Sequence, residues 1–288
     1  MRKAILLFSL VLLGISCKSG RSIQKKNEPT KAYLDLVNVK NDRVQVVVDP
    51  GPFREDQTIF YLPRIIPGNY NIDDFGRFVE NFKALDYDGN EMGVVKSGKS
   101  SWTISNARDL DKVSYRVNDT YDMENEGGTF SPVGTNINRG ENFMLNLHGF
   151  VGYFKGEKEE DYVLKVRRPS NLIAGSALTA STTSQSADTA LDEFKVDRYF
   201  EITDHPIMYS KPDTASIKVE GMEVLLDVYS PHGLTSAEEL MPGLEKTLKA
   251  QKHFLGDINN THKYDIILYL FDSTRADARG QGAFEIHP

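Results

Sequence analysis

Residues 32–48 read AYLDLVNVKNDRVQVVV. Tyr33, Leu34, Leu36, Val37 and Val39 form one apolar-rich run, and Val44, Val46, Val47 and Val48 form another. Asn41-Asp42 lies between them, and both residue types tolerate the left-handed backbone of a tight hairpin. The stretch therefore reads as two antiparallel strands joined by a short turn. Outward from it the same pattern recurs. Thr58–Leu62 is a short strand. Phe78–Tyr87 and Glu91–Val95 flank Asp88-Gly89, a strong turn dipeptide. Trp102–Ile104 and Val113–Val117 keep the period of two, and Phe143–Leu147 and Tyr162–Val166 follow. Ile217–Val219 and Val224–Tyr229 pair around Glu220-Gly221. Many short strands separated by turn residues argue a mainly β fold, an antiparallel β-sandwich over residues 31–230. Ser176–Ala190 is Ser/Thr-rich and reads as a mobile loop, as does the acidic stretch 122–128.

The pattern changes after residue 230. Thr235-Ser236-Ala237-Glu238 reads as a capping box, and Leu240, Leu244, Leu248 and Leu255 lie near the helical period. Gly256 is a plausible stop. Pro242 falls inside this run, so a later start or a kink is expected. Residues 264–271 (YDIILYLF) read as a buried strand. Residues 235–288 thus look like the opening of an α/β unit with one long helix and one or two strands. Fifty-four residues make a poor independent core, so this unit must dock on something.

The start of the chain has its own logic. Arg2 and Lys3 precede a nearly pure apolar run, Ala4–Ile15. That run is shorter than the ~20 residues of a membrane span and suits the core of a signal peptide. The lone cysteine, Cys17, follows Gly14-Ile15-Ser16, which resembles a bacterial lipoprotein processing site. Residues 1–17 are therefore expected to be a lipoprotein signal peptide. Cys17 would be the lipidated residue anchoring the protein to a membrane, residues 18–30 a flexible tether, and the location the cell envelope, facing the periplasm or the outer membrane.

Composition narrows the chemistry. The 288 residues carry a formal net charge of −7, which argues against nucleic acid as a partner. Residues 93–100 (GVVKSGKS) satisfy a phosphate-loop pattern by letter. Strand-forming Ser101-Trp102-Thr103-Ile104 follows where a helix is required, so a hairpin is the better reading and no nucleotide is expected. Asp86, Asp88 and Glu91 crowd the Asp-Gly turn without the further ligands that calcium needs. The six histidines, His148, His205, His232, His253, His262 and His287, include no i, i+4 pair and no H-E-x-x-H. No G-x-S-x-G elbow is present either. By its own residues the chain carries no catalytic set and no metal site.

One stretch is distinctive: residues 60–70 (FYLPRIIPGNY), then residues 73–79 (DDFGRFV). Pro67-Gly68 is a tight turn. Tyr70, Phe75, Phe78 and Val79 are expected to anchor the loop on the sandwich, with Asp74 in reach of Arg77. This run resembles the N-terminal domain of the glycyl aminopeptidase family, gluzincin metallopeptidases that often carry a PDZ domain. Three further features are similar: Trp102 after the basic turn at Lys99, the step Thr203-Asp204-His205-Pro206-Ile207, and Gly282-Ala283-Phe284-Glu285. The resemblance covers roughly residues 31–288. It implies a β domain followed by a thermolysin-like domain in which H-E-x-x-H and a later glutamate hold zinc. It also implies that Gly282, Ala283 and Glu285 belong to a substrate-binding strand, with Glu285 meeting the α-amino group of a peptide substrate. His287 departs from the family pattern, since Ile286 separates it from Glu285. Zinc is expected only for the intact family protein, and none in this chain. The chain reads as a non-catalytic N-terminal portion, inactive alone, that supports or lines the substrate side of the zinc domain. The alternative is a free-standing surface lipoprotein whose sandwich binds a protein, peptide or glycan, with Trp102, Tyr121 and Tyr153 as candidates for an aromatic platform.

Overall fold

The computed structural model describes residues 28–121, 129–256 and 261–270. The opening hairpin forms as read, with strands Thr30–Lys40 and Arg43–Asp49. Asn41 and Asp42 both take positive φ, 51° and 52°, the turn geometry that matches strand twist. This hairpin is the centre of a seven-stranded sheet. From edge to edge the sheet runs Thr182–Gln185, Thr189–Val196, Tyr162–Pro169, Thr30–Lys40, Arg43–Asp49, Leu110–Asn118 and Val79–Asp86. All its pairings are antiparallel except that of Thr30–Lys40 with Tyr162–Pro169, which run parallel.

Two four-stranded sheets are associated with it. One has the order Tyr153–Phe154, Gln57–Tyr61, Ser101–Ser105, Val94–Gly98. The other has the order Ile173–Gly175, Ile207–Ser210, Asn142–Leu145, Asn136–Asn138. One continuous core lies among the three sheets, built from Leu34, Val46 and Val113 of the large sheet, Phe60 and Ile104 of the second, and Phe143 and Ile207 of the third. Aromatic rings bind the layers: Phe82 of the large sheet stacks on Trp102 of the second at 4.6 Å, and Phe60 sits 5.6 Å from Tyr115. The β-sandwich is thus present, with the second face shared between two small sheets.

Several local expectations change. The strand expected after Asp88-Gly89 at Glu91–Val95 begins at Val94 and joins the second sheet, leaving a single bridge, Leu85–Glu91, beside the turn. The phosphate-loop look-alike is the hairpin Val94–Gly98 and Ser101–Ser105. The Ser/Thr-rich segment is no loop: it folds into the hairpin Thr182–Gln185 and Thr189–Val196. Its outer strand is exposed throughout, so it carries no apolar alternation to read, while threonine favours the extended backbone.

The hairpin Thr214–Val219 and Met222–Tyr229 also stands elsewhere than expected. It pairs with Lys263–Tyr269 in a separate three-stranded sheet, in which Met222–Tyr229 and Lys263–Tyr269 are parallel. The intervening helix is Ala237–Leu255, a right-sized crossover for a parallel pair. Its cap is Ser236, one residue later than read: Ser236 Oγ accepts from the Glu239 N–H at 3.2 Å, and Glu239 Oε2 accepts from the Ser236 N–H at 3.1 Å. Pro242 sits inside the helix, which continues through it. Met241 with Leu240 and Leu244 covers Leu226 and Val228, while Leu248 packs by Val224. Leu255 falls off the stripe and is exposed. Alternation turns the other side of the sheet, Tyr229, Ile267 and Tyr269, onto Met144 and Met208 of the third sheet. The three-stranded sheet is therefore covered on both faces, by the helix and by the sandwich.

Candidate functional site

The distinctive Pro-Gly-x-Tyr segment is a loop held by its own polar groups. The N–H groups of Asp73 and Asp74 donate to the Arg64 carbonyl at 2.8 and 3.1 Å, and that of Phe75 donates to Pro63 at 3.1 Å. The buried Asp73 carboxylate accepts from the side-chain amides of Asn69 and Asn71. Asp74, at φ 49°, is paired with Arg64 at 2.5 Å and Lys99 at 3.4 Å. These two cations hold its carboxyl below the usual carboxylate range, the Arg64 hydrogen bond being the largest cause. Lys99, the lysine of the phosphate-loop look-alike, is thus a counter-ion. The expected Asp74–Arg77 pair does not form, and the Arg77 guanidinium lies 4.6 Å over the Phe78 ring. Below the loop, Gly76 lies against Ser100, its N–H donating to Ser100 Oγ at 3.0 Å, and any Cβ there would overlap the Lys99–Ser100 backbone.

Of the four expected anchors, Phe75 and Phe78 are buried with Ile66 and Val133, and Val79 is half-buried against the main core. Tyr70 is not an anchor: it is 99% exposed, at φ 51°. The asparagine–aspartate brace fixes the loop without it, so the turn projects its ring outward. Ile65 and Ile72 are exposed beside it in sequence. The loop thus presents three apolar side chains to solvent while its backbone stays braced.

From Phe75 a chain of contacts leads across the molecule. Its ring lies 4.6 Å from the imidazole of His148. His148 is fully buried, and burial pushes its pKa down to about 4, so the ring is neutral. Its Nε2 donates to the Val133 carbonyl at 2.9 Å, which fixes the tautomer. The following segment is tied by Asn146, whose Nδ2 donates to the carbonyls of Pro132 and Gly134. Thr135 accepts from the Tyr121 N–H at 3.2 Å. The Tyr121 ring meets Tyr269 edge-on at 5.3 Å, and Tyr269 lies 5.1 Å from Tyr229. Tyr229 and Tyr269 are register partners at the carboxyl ends of the parallel strands. In open α/β sheets that end is where ligands bind. The Pro-Gly-x-Tyr loop and the carboxyl ends of the parallel pair are therefore joined by one chain of contacts, through the buried His148 and the half-buried Tyr121 and Tyr269.

Other expectations resolve against this geometry. Trp102 is buried under Phe82, and Tyr153 is half-buried among Tyr61, Tyr199 and Lys158, so neither offers an open platform. Tyr121 is packed on Tyr269. Asp86 accepts from the Asn90 and Asp88 N–H groups and the Asn90 side chain, which lowers its pKa and accounts for the acidic turn without calcium. His205 Nδ1 lies 2.7 Å from the Glu201 carbonyl. Among the described residues no group of three His, Cys, Asp or Glu side chains fits a metal ion. Cys17, Gly282, Ala283, Glu285 and His287 lie outside the described residues, as do the signal segment and the acidic stretch 122–128. The asparagine brace, the Lys99–Asp74 pair and the tyrosine cluster were missed in the sequence; only the spacing of Asn69, Asn71 and Asp73 on one loop could have hinted at the first.

Comparison with known proteins agrees with the architecture. The chain matches the Peptidase M61 N-terminal domain over residues 31–211. It is similar in structure to an aminopeptidase N family protein from Idiomarina loihiensis, with a TM-score of 0.70, 15% identity, and coverage of 83% of this chain and 39% of that one. An M1 zinc metallopeptidase from Deinococcus radiodurans aligns with a TM-score of 0.44 and 11% identity, covering 83% of this chain and 55% of the other. No curated protein sequence matches it. At 15% identity the likeness to the Idiomarina protein speaks to fold alone. The chain thus spans 39% of the length of the Idiomarina protein, and through residues 31–211 it belongs to the family of the Peptidase M61 N-terminal domain.

Proposed function

We propose that this chain is the non-catalytic N-terminal portion of an envelope-anchored peptidase of the gluzincin aminopeptidase kind. Its sandwich supports a zinc domain and lines the substrate side of that domain. The observation that carries the reading is the placement of the Pro-Gly-x-Tyr loop. The loop that carries the family resemblance, braced and exposed, is joined by one chain of contacts to the carboxyl ends of the parallel strands. The segment that follows those strands includes Gly282, Ala283 and Glu285, to which the family resemblance gives the contact with a substrate α-amino group. The zinc itself would be held by residues that the described part of this chain does not supply, and its contribution in the intact protein would be to activate water. The role of this chain is positioning: a loop made rigid by the Asp73 and Asp74 brackets and tied through those contacts to the strand ends. The lipid on Cys17 would hold the assembly at the membrane of a bacterial envelope, with a peptide as the substrate.

The test is direct. The chain alone is expected to hydrolyse no aminoacyl-anilide, with or without added zinc. A zinc domain expressed with it is expected to do so, and Tyr70→Ala and Ile72→Ser in the chain are expected to raise KM severalfold with little change in stability. Chelator-sensitive turnover by the chain alone would refute the non-catalytic role. Unchanged KM in both variants would remove the loop from the substrate side. Palmitate labelling that persists in Cys17→Ser would refute the anchor.

A further inference from the structure

Among the groups that the proposed function does not use, one pair stands out by its position. Asp227 and Asp265 sit on adjacent parallel strands, Met222–Tyr229 and Lys263–Tyr269. Strand alternation turns both side chains to the face that carries Tyr229, Ile267 and Tyr269, the face packed on the sandwich, where the two carboxyl groups interact. On the sandwich side Gly175, at the end of strand Ile173–Gly175, is pressed so closely on Asp227 that a Cβ on the glycine would overlap the carboxylate. Neither oxygen of Asp265, both shielded from water, has a hydrogen-bond partner of good geometry. The nearest base is Lys263 on the same strand. Its ammonium is directed across the junction to the Thr179 hydroxyl at 3.1 Å and the Ser176 carbonyl at 3.5 Å, so it ties the two units together without forming an ion pair with either acid.

Two carboxylates in that arrangement cannot both carry charge at low cost. One proton between them supplies the missing donor. It turns a repulsive contact into a hydrogen bond between strands. We infer that Asp227 and Asp265 form a proton-operated latch that clamps the three-stranded sheet to the sandwich when one proton is shared and loosens it when that proton is lost.

The charges that act on the pair fit this reading. Burial, then the Asp227 charge, pushes Asp265 up to about 8, and Asp227 is raised as well, chiefly by burial. Lys263 opposes both shifts. From the sandwich side come Gly175, the Ser176 carbonyl and the Thr179 hydroxyl, none of them titratable. The helix Ala237–Leu255 covers the opposite face of the sheet. The sign follows from linkage. A carboxyl whose folded pKa is raised holds a proton in the folded state that the unfolded chain has already released. Its stabilisation is complete below about pH 4, declines as pH rises, and is gone above about pH 8. Across that window one such proton changes the folding constant about tenfold per pH unit.

The experiment has two independent readouts on the full chain. Infrared difference spectra between pH 6 and pH 9 should show the carbonyl stretch of a buried carboxylic acid disappearing, and the band should be absent in Asp265→Asn. Thermal unfolding from pH 6.5 to pH 9 should show a downward slope that Asp265→Asn and Asp227→Asn both flatten. Absence of the acid band in the wild type at pH 6 would overturn the latch, whether or not the variants fold. So would an alkaline slope that remains unchanged in both folded variants.

Discussion

At the scale of single residues, His148 shows what burial does to chemistry. A histidine beside a phenylalanine, within reach of a carbonyl, reads in sequence as a lone imidazole of no stated role. In the fold it is neutral, and its one proton serves the Val133 carbonyl. Its folded pKa is depressed to about 4 from an ordinary 6.5, so the unfolded chain binds a proton that the folded chain refuses. Stability from this residue is complete above about pH 6.5 and is lost as pH falls through 4, in total about 3 kcal/mol. This runs opposite to the Asp227–Asp265 pair over the same range. The two effects must be separated by variants rather than by the shape of one curve. His148→Gln keeps a donor and removes the titration. It is expected to lower stability by about 1–3 kcal/mol at pH 7 and to lose less between pH 6.5 and 4 than the wild type does in urea titrations. Equal acid sensitivity in the two proteins would mean that His148 is protonated in the fold.

At the scale of elements, the helix Ala237–Leu255 shows where local code is ambiguous. Both Thr235–Glu238 and Ser236–Glu239 satisfy the capping-box pattern, because hydroxyls and glutamates each come in pairs. The choice is made by the start of the apolar face. With Ser236 as the cap, Ala237 and Met241 turn onto Leu226 and Val228, and the Ala237 N–H donates to Asp213 at 2.9 Å. Ser236→Ala should therefore cost about 1 kcal/mol. Thr235→Ala, which removes only an exposed hydroxyl bonded to Glu239, should cost a few tenths. Chemical denaturation of the two variants checks the register, and a larger loss for Thr235→Ala would place the cap one residue earlier. The same reasoning explains what was readable elsewhere. The first hairpin was legible because turn chemistry and alternation agree at Asn41-Asp42. The threonine-rich edge hairpin was not, because its outer strand buries nothing. The Tyr70 loop was legible as a motif, and its anchors Phe75 and Phe78 as apolar positions. Its asparagine brace and its exposed tyrosine depend on backbone angles that no periodicity encodes.

At the scale of the molecule, the issue is how two units with different sheets become one body. Neither the strand period nor the helix period in the sequence records which face of a three-stranded sheet meets which partner. Here the sheet is closed on one side by the helix and on the other by Met144, Met208 and the Ile173–Gly175 strand. Most of that second contact is soft, since methionine adapts its shape to its neighbours. Gly175 is the hard point, because the overlap a Cβ would make there is with the Cβ and carboxyl of a buried aspartate rather than with a flexible chain end. Gly175→Ala is therefore expected to destabilise the protein by about 1–3 kcal/mol through overpacking. The loss should be uneven. Hydrogen exchange should quicken along Lys263–Tyr269 and Met222–Tyr229 while the strands Thr30–Lys40 and Arg43–Asp49 keep their protection, because the sandwich has its own continuous core. Uniform acceleration across all four strands would instead mean that the sandwich and the three-stranded sheet unfold as one cooperative unit, with the junction too strong to open alone.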